Sequence, residues 1–154
     1  MEQIIDFVGS RPFRSKLDFT DGDYNIRIHA ESVKDSTFYC HMGKYDSLVL
    51  LQGDCNGPAT MMRAMNCLFM NIKALMIYLD DIHIANHIYE EHIDTIRAVM
   101  KMEKDNKVWF NKNNCQSMPA CMEILVNILT DQGLEADPDT INTILKFPTA
   151  GNKR

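Results

Sequence analysis

Two adjacent aspartates, Asp80 and Asp81, are the residues of this sequence best placed to do chemistry. They end the run 78–81 (Tyr-Leu-Asp-Asp), which lies between the apolar stretches 74–77 and 82–85. This arrangement predicts a β-hairpin whose tight turn carries both carboxylates. Neighbouring carboxylates repel each other, and a hard divalent cation prefers oxygen ligands, so metal binding would explain the pair. A solvated turn also explains it, because Asp is favoured in turns.

The rest of the chain predicts strands and helices in no regular order. Apolar residues at helical spacing predict α-helices over residues 4–8, 57–69, 89–103 and 138–146. Alternating or continuous apolar runs predict strands over residues 16–19, 24–29, 107–111 and 122–128, with β-hairpins over 37–51 and 74–85. Because the βαβ alternation of a parallel sheet is missing, we expect an α+β fold in one domain.

Composition narrows the class of protein. The chain has 154 residues, of which 45% are hydrophobic and 24% charged, as in soluble globular proteins. Its net charge of −5 counts against tight, non-specific binding of nucleic acid, which needs an excess of Lys and Arg. No apolar run is long enough for a membrane span and no signal peptide is recognisable, so we expect an intracellular protein, in cytoplasm or nucleus. Five cysteines without a C-x-x-C pair predict buried, reduced thiols rather than disulfides or a zinc site.

Three motifs, in order along the chain, resemble those of reverse transcriptases. They are residues 15–18 (Ser-Lys-Leu-Asp), 53–60 (Gly-Asp-Cys-Asn-Gly-Pro-Ala-Thr) and 78–81 (Tyr-Leu-Asp-Asp). The sequence is most similar to the gypsy-type LTR retrotransposon enzymes, and the similarity continues to residues 147–149 (Phe-Pro-Thr). The resemblance therefore implies a reverse-transcriptase-like palm, with an antiparallel sheet and packed helices.

The resemblance also implies a chemistry. Enzymes of this family perform template-directed nucleotidyl transfer with two metal ions, Mg²⁺ or Mn²⁺. Carried over to this sequence, the metal ligands and catalytic residues are Asp18, Asp80 and Asp81. Gln52 and Gly53 match a substrate-binding position. The end of one strand and the tip of a neighbouring hairpin can bring the three aspartates together.

The family pattern further divides the chain. Residues 1–154 correspond to one truncated domain: a palm over about 1–110, with a finger-like hairpin at 37–51, and the end of the palm and start of the thumb over 111–154. Only 17 residues precede Asp18, so we expect the upstream finger strands, a complete thumb and an RNase H domain to be missing. Such a loss would expose apolar surface, and a homodimer is the simplest way to cover it.

Several positions depart from the family pattern. Asp23 stands where these enzymes carry an aromatic residue, five positions after the first aspartate. Asp54 adds a second negative charge, Met62 replaces a hydrogen-bonding glutamine, and Val126 replaces a glycine of the strand that supports the primer end. Added carboxylates repel a triphosphate.

These departures favour a shortened, domesticated reverse transcriptase palm without competent polymerase activity. It would act through protein association or weak contact with nucleic acid. The alternative is a residual RNA-directed DNA polymerase or nucleotidyl transferase with two-metal chemistry. A nuclease built on the same acids has only metal chemistry in its favour.

Overall fold

The computed structural model describes residues 2–20, 22–124, 127–130 and 133–147. Its helices are α1 (Glu2–Gly9), α2 (Gly57–Phe69), α3 (Tyr89–Asn106) and α4 (Pro138–Leu145). Its strands are β1 (Phe13–Asp18), β2 (Thr37–Cys40), β3 (Gly43–Asp46), β4 (Leu75–Tyr78), β5 (Asp81–Asn86), β6 (Gln116–Ser117), β7 (Met122–Ile124), β8 (Asn127–Thr130) and β9 (Gly133–Ala136). Helices and antiparallel sheets occur together, so the predicted α+β class is confirmed.

A four-stranded antiparallel sheet in the order β4-β5-β1-β6 forms the centre of the fold. β1 and β5 pair along their whole length, from Phe13 opposite Asn86 to Asp18 opposite Asp81. β4 and β5 form the predicted hairpin around a two-residue turn, with Tyr78 opposite Asp81. This register brings the end of β1 beside the tip of the hairpin.

One side of this sheet, here called the helix face, carries apolar side chains under α2 and α3. Because side chains alternate along a strand, Leu17, Ile82 and Ile84 all point to this side. They form one buried cluster with the α2 residues Met61, Met65 and Phe69 and with Val99 of α3. The methionine-rich stripe of α2 is therefore core, as its spacing predicts.

The opposite side, here called the acid face, carries Met76, Tyr78, Lys16, His83, Asp18 and Asp81. Met76 and Tyr78 pack against a second apolar cluster built from α1 and the sheet β7-β8-β9. Ile4, Val8 and Met122 are buried there. Where β1 ends, the acid face carries the carboxylates of Asp18 and Asp81 instead.

The strand predicted over residues 24–29 is wrong. Gly22–Asn25 forms a 3-10 helix and Ala30–Ser36 forms another. The Ile26 amide donates to the Asp23 carbonyl at 3.1 Å, which closes a turn instead of extending a strand. Within the described residues, the segment contributes one isolated bridge, Arg27 to Val49. Local hydrogen bonding therefore overrides the apolar-polar alternation.

The strand predicted over residues 107–111 is also wrong. Lys107 ends α3 in the left-handed conformation, with a φ of 57°, and its amide donates to the Glu103 carbonyl. Phe110 makes an isolated bridge to Phe19 rather than joining a ladder. The strand predicted over 122–128 corresponds to β7 and the start of β8. Residues 125 and 126 lie outside the described residues, and so does the glycine replacement at Val126.

The hairpin predicted over residues 37–51 forms from β2 and β3 and ends earlier, at Asp46. Its side chains are largely exposed, and Phe38 stacks on Tyr45 with ring centroids 6.1 Å apart. The expectation of buried thiols is wrong. Four of the five cysteines are exposed and Cys115 is half-buried, and all five are free.

Candidate active site

Asp18 and Asp81 meet because the two central strands are paired in register. Asp18 ends β1, Asp81 begins β5, and the two residues lie directly opposite each other. The Phe19 amide donates to the Asp80 carbonyl at 2.9 Å, which ties the next residue of the chain to the hairpin turn. The structure therefore brings together the three aspartates singled out in the sequence.

Asp80 occupies the hairpin turn itself, whereas Asp81 is already part of β5. The turn places Leu79 at a φ of 52°, a conformation that costs a non-glycine residue energy. The pKa of the Asp80 carboxyl is raised above its usual range by burial and then by the negative charges of Asp23, Asp18 and Asp81. Burial and three neighbouring carboxylates therefore all disfavour the charged form of Asp80.

Asp23 lies beside Asp80 because it belongs to the 3-10 helix Gly22–Asn25, which comes after β1 in the chain. Gly22 is buried against Met61, and a Cβ there would require the end of the Met61 side chain to shift. A small cavity of about 140 Å³ lies between this 3-10 helix, the hairpin turn and the start of α2, lined by Asp23, Pro58, Met61, Leu79 and Asp80. The residue that replaces the family's aromatic side chain thus faces the same cavity as Asp80.

The other two carboxylates have partners within the chain. The Lys16 Nζ lies 2.9 Å from the Asp81 Oδ2. The Asn114 side-chain amide donates to the Asp18 Oδ2 at 3.0 Å, and the Asn111 amide donates to the Asp18 carbonyl at 2.9 Å. Sequence reasoning missed both Lys16 and Asn114. The position of Lys16 two residues before Asp18, on the same side of a strand, was the available signal.

The donor set at this site suits a hard cation such as Mg²⁺ or Mn²⁺, because several carboxylates converge on one end of the sheet. Within the described residues, however, no three His, Cys, Asp or Glu side chains are arranged as a ready metal cluster. Asp18, Asp80 and Asp81 are close in the fold, but Asp18 and Asp81 point their oxygens at internal partners. Binding a cation would require these side chains to reorient.

Gln52 and Gly53 lie in the exposed turn before α2, and neither lines the cavity beside Asp80. Gly53 has a φ of 100°, a conformation that favours glycine even though a Cβ there would meet open space. Asp54 accepts a hydrogen bond from the Leu51 amide at 3.2 Å through its Oδ2. This extra carboxylate therefore has a local role in closing the turn.

A buried polar cluster behind the site was not predicted. His92 of α3 is fully buried, with its Nε2 2.8 Å from the Ser15 Oγ and its Nδ1 3.0 Å from the Asn86 Oδ1. The Ser15 Oγ also accepts from the Met118 amide at 3.2 Å. Burial lowers the pKa of His92. This cluster joins β1, β5 and α3, and so fixes the strand that carries Asp18.

A second buried histidine lies on the acid face. His83 of β5 is fully buried, directly opposite Lys16, and within the described residues neither of its ring nitrogens has a hydrogen-bond partner. Burial lowers its pKa to about 4, with smaller effects from Asp81, which opposes the shift, and from Lys16. His83 is therefore neutral at pH 7 and adds no charge to the site.

An antiparallel sheet with aspartates at a strand end and in the adjacent hairpin turn defines a polymerase-type palm. The family description "Reverse transcriptase (RNA-dependent DNA polymerase)" matches residues 8–134. The chain belongs to this reverse transcriptase family, whose members normally use Mg²⁺ or Mn²⁺.

Similar proteins come from retrotransposons. The chain is 27% identical over 150 residues to the retrovirus-related Pol polyprotein from transposon 297 of Drosophila melanogaster, covering 96% of this chain and 14% of that polyprotein. It is 20% identical over 156 residues to the transposon Tf2-3 polyprotein of Schizosaccharomyces pombe, covering 100% of this chain and 12% of that polyprotein. The chain thus spans about one seventh or less of these relatives.

Solved structures show the same fold. The foamy viral protease-reverse transcriptase in complex with an RNA/DNA hybrid superposes with a TM-score of 0.84 at 19% identity, over 95% of this chain and 20% of that one. The same viral protein in complex with dsDNA gives a TM-score of 0.84 over 96% of this chain and 31% of that one. The predicted reverse-transcriptase-like palm is therefore confirmed as a fold.

Among the described residues, no helix is both long and apolar enough to span a membrane.

Proposed function

We propose that this chain is a domesticated, gypsy-type reverse transcriptase palm that keeps a capacity for divalent metal but lacks competent polymerase activity. Asp18, Asp80 and Asp81 are the proposed ligands of Mg²⁺ or Mn²⁺. When bound, such a cation polarises phosphate oxygens and lowers the pKa of an attacking hydroxyl. Asp23, beside Asp80, is the observation that carries the proposal.

Asp23 acts against nucleotide binding in two ways. An incoming triphosphate brings several negative charges to the site, and phosphoryl transfer depends on positioning and on compensation of those charges. Asp23 and Asp80 line one cavity, and Asp23 adds to burial in raising the pKa of Asp80, so its carboxylate would repel a phosphate held at the same metal. It also removes the apolar surface on which a sugar could pack. The site therefore favours a cation and disfavours its triphosphate complex.

Primer extension tests this proposal. The wild-type chain is incubated with a primed RNA or DNA template, all four dNTPs, and Mg²⁺ or Mn²⁺, beside the Asp80→Asn variant as the metal-site control. We expect no template-dependent extension by either protein. Extension by the wild type that is abolished in Asp80→Asn would overturn the proposal.

The second candidate, a residual polymerase or nucleotidyl transferase, is favoured by the direct pairing of Asp18 with Asp81 in the sheet. This candidate requires that a metal organise the carboxylates despite Asp23. It predicts extension in Mn²⁺ that increases in Asp23→Tyr, the variant that returns an aromatic side chain to this position.

We propose that the chain acts by association, as a homodimer with at most weak contact to nucleic acid. The exposed β2–β3 hairpin supports this role, because Tyr39 and Met42 are 78% and 70% exposed. Leu48, just after the hairpin, is 67% exposed. Exposed apolar clusters usually mark interaction surfaces. The acidic balance of the chain disfavours phosphate contacts.

Multi-angle light scattering at tens of micromolar checks the oligomeric state. We expect a dimer for the wild type and a shift to monomer for Tyr39→Ser with Met42→Ser. Met70→Ser is the matched control, because Met70 is 74% exposed at the far end of α2. A monomeric wild type would remove the dimer from the proposal.

A further inference from the structure

The Lys16–Asp81 ion pair is a polar contact of the acid face that the sheet itself dictates. Lys16 lies opposite His83, and Asp18 lies opposite Asp81, so Lys16 and Asp81 are diagonal neighbours across β1 and β5. Long side chains span that diagonal in an antiparallel sheet. The ammonium accordingly reaches the Asp81 Oδ2 at 2.9 Å.

The surroundings hold Lys16 in this position. Its side chain is only 19% exposed and that of Asp81 only 18%, so solvent screens the pair less than a surface ion pair. Asp18, the next residue on the same side of β1, is engaged by Asn114.

We propose that the Lys16 ammonium competes with divalent metal for the Asp81 carboxylate. This inference rests on the metal capacity in the proposed function. Lys16 belongs to this chain and is present at every metal concentration. Asp81 is therefore withheld from a metal, and a single ion would be held mainly through Asp80 and Asp18. Lys16 then sets both the affinity of the site and the number of divalent ions it takes.

The physical basis is a simple exchange. For Asp81 to join a metal, its carboxylate must leave the ammonium, and Lys16 must then tolerate a doubly charged ion nearby. Both effects weaken metal binding. A neutral side chain of similar length at position 16 removes both, while it leaves the β1–β5 register unchanged.

Binding of Mn²⁺ alone, followed by isothermal titration calorimetry and by the loss of the free-ion electron paramagnetic resonance signal, tests the proposal without any catalytic readout. Lys16→Met should bind Mn²⁺ about tenfold more tightly than the wild type, as expected for removal of one nearby positive charge. Lys16→Arg keeps the charge and should bind like the wild type. Lys101→Met, at an exposed position of α3, is the matched control for loss of a lysine.

A double-mutant cycle separates competition from a general change of net charge. Asp81→Asn should weaken Mn²⁺ binding less in the wild type, where Asp81 is already paired with Lys16, than in Lys16→Met, where Asp81 is free to become a ligand. The same change in Lys16→Met should abolish the gain in affinity. Lys101→Met should give no such coupling with Asp81→Asn.

Equal Mn²⁺ affinity in the wild type and Lys16→Met would overturn the proposal, and so would absence of binding in both. Equal losses of affinity for Asp81→Asn in the wild type and in Lys16→Met would also overturn it, because they would show addition of charges rather than competition. Absence of binding in both proteins would also overturn the metal capacity of the proposed function, whereas equal, measurable affinity would overturn the Lys16 proposal alone. Template-dependent primer extension by the wild type would overturn only the lack of polymerase activity. An active polymerase could still show, or lack, competition by Lys16.

Discussion

The two faces of the central sheet are built from the same strands but differ in chemistry, since one is apolar and the other carries carboxylates. On the helix face, Leu17, Ile82 and Ile84 are buried under α2 and α3 and supply stability. On the acid face, the alternate residues Asp18 and Asp81 gather like charges at one end. The contrast teaches that a single β-register can bury an apolar core on one side of a sheet and gather carboxylates on the other.

The two buried histidines show the same contrast in detail. Both are fully buried and both have a lowered pKa. His92 is hydrogen-bonded through both ring nitrogens, whereas His83 on the acid face has no partner among the described residues. An unpaired buried polar group costs stability, so His83 is a point of lower stability on the acid face, whereas His92 on the helix face is paired.

The largest expected effect comes from the helix face. Phe69 is 2% exposed and contacts Phe19, with ring centroids 6.3 Å apart. Phe69→Ala should lower the free energy of unfolding by about 3–5 kcal/mol, because it leaves a cavity in the core. Urea denaturation measures this change. Tyr39→Ala, an exposed aromatic position, is the control, and an equal loss there would contradict the contrast between core and surface.

The next effect is a pH dependence that arises from His83. Its folded pKa of about 4 lies below the ordinary 6.5, so the unfolded state binds more protons between these values. Stability that is present above pH 6.5 should therefore be lost as the pH falls toward 4, by roughly 2–3 kcal/mol. Denaturation of wild type and His83→Leu across this range measures the difference. Parallel pH profiles for the two proteins would exclude His83 as the source.

At pH 7 the two histidines should respond in opposite directions to the same substitution. His92→Leu should cost about 1–3 kcal/mol, because Ser15 and Asn86 lose a buried partner. His83→Leu should be neutral or stabilising, because it removes an unpaired buried polar group. Urea midpoints of the two variants decide this. A larger loss for His83→Leu would reveal a partner for this ring.

The smallest expected effect comes from removing one acid. The folded pKa of Asp80 is raised, so its ionised form destabilises the protein above that pKa. Asp80→Asn should raise the melting temperature slightly at pH 7, and the gain should vanish below the ordinary pKa of 3.8. Differential scanning calorimetry at both pH values measures it. A lower melting temperature at pH 7 would mean that Asp80 is compensated in the folded protein.

The sequence predicts the parts of this fold that depend on strong periodicity. Helices α2, α3 and α4 and the hairpin that carries Asp80 follow from apolar spacing and from turn residues. The 3-10 helix at Gly22–Asn25 does not, because it overlaps the alternating residues 24–29, which imitate a strand, and because its closing hydrogen bond is local.

The site follows the same division. The aspartates are recognisable by type and spacing, and Asp23 stands out as a replaced aromatic residue. Their partners are not recognisable, because the contact of Lys16 with Asp81 depends on the pairing of β1 with β5. Asn114 reaches Asp18 from 96 residues away in the sequence, through a loop of no regular structure.

Triphosphate binding tests the central claim most directly, namely that the acids retain a cation but do not hold a nucleotide. A fluorescent dNTP is titrated with the wild type and with Asp23→Asn, in millimolar Mn²⁺ and in its absence. We predict no saturable, Mn²⁺-dependent binding by the wild type at any concentration in the titration. Asp23→Asn should show saturable binding, with a Kd at least about tenfold below the highest concentration used, as removal of one nearby negative charge implies. Saturable, Mn²⁺-dependent binding of the triphosphate by the wild type, unchanged in Asp23→Asn, would contradict the account.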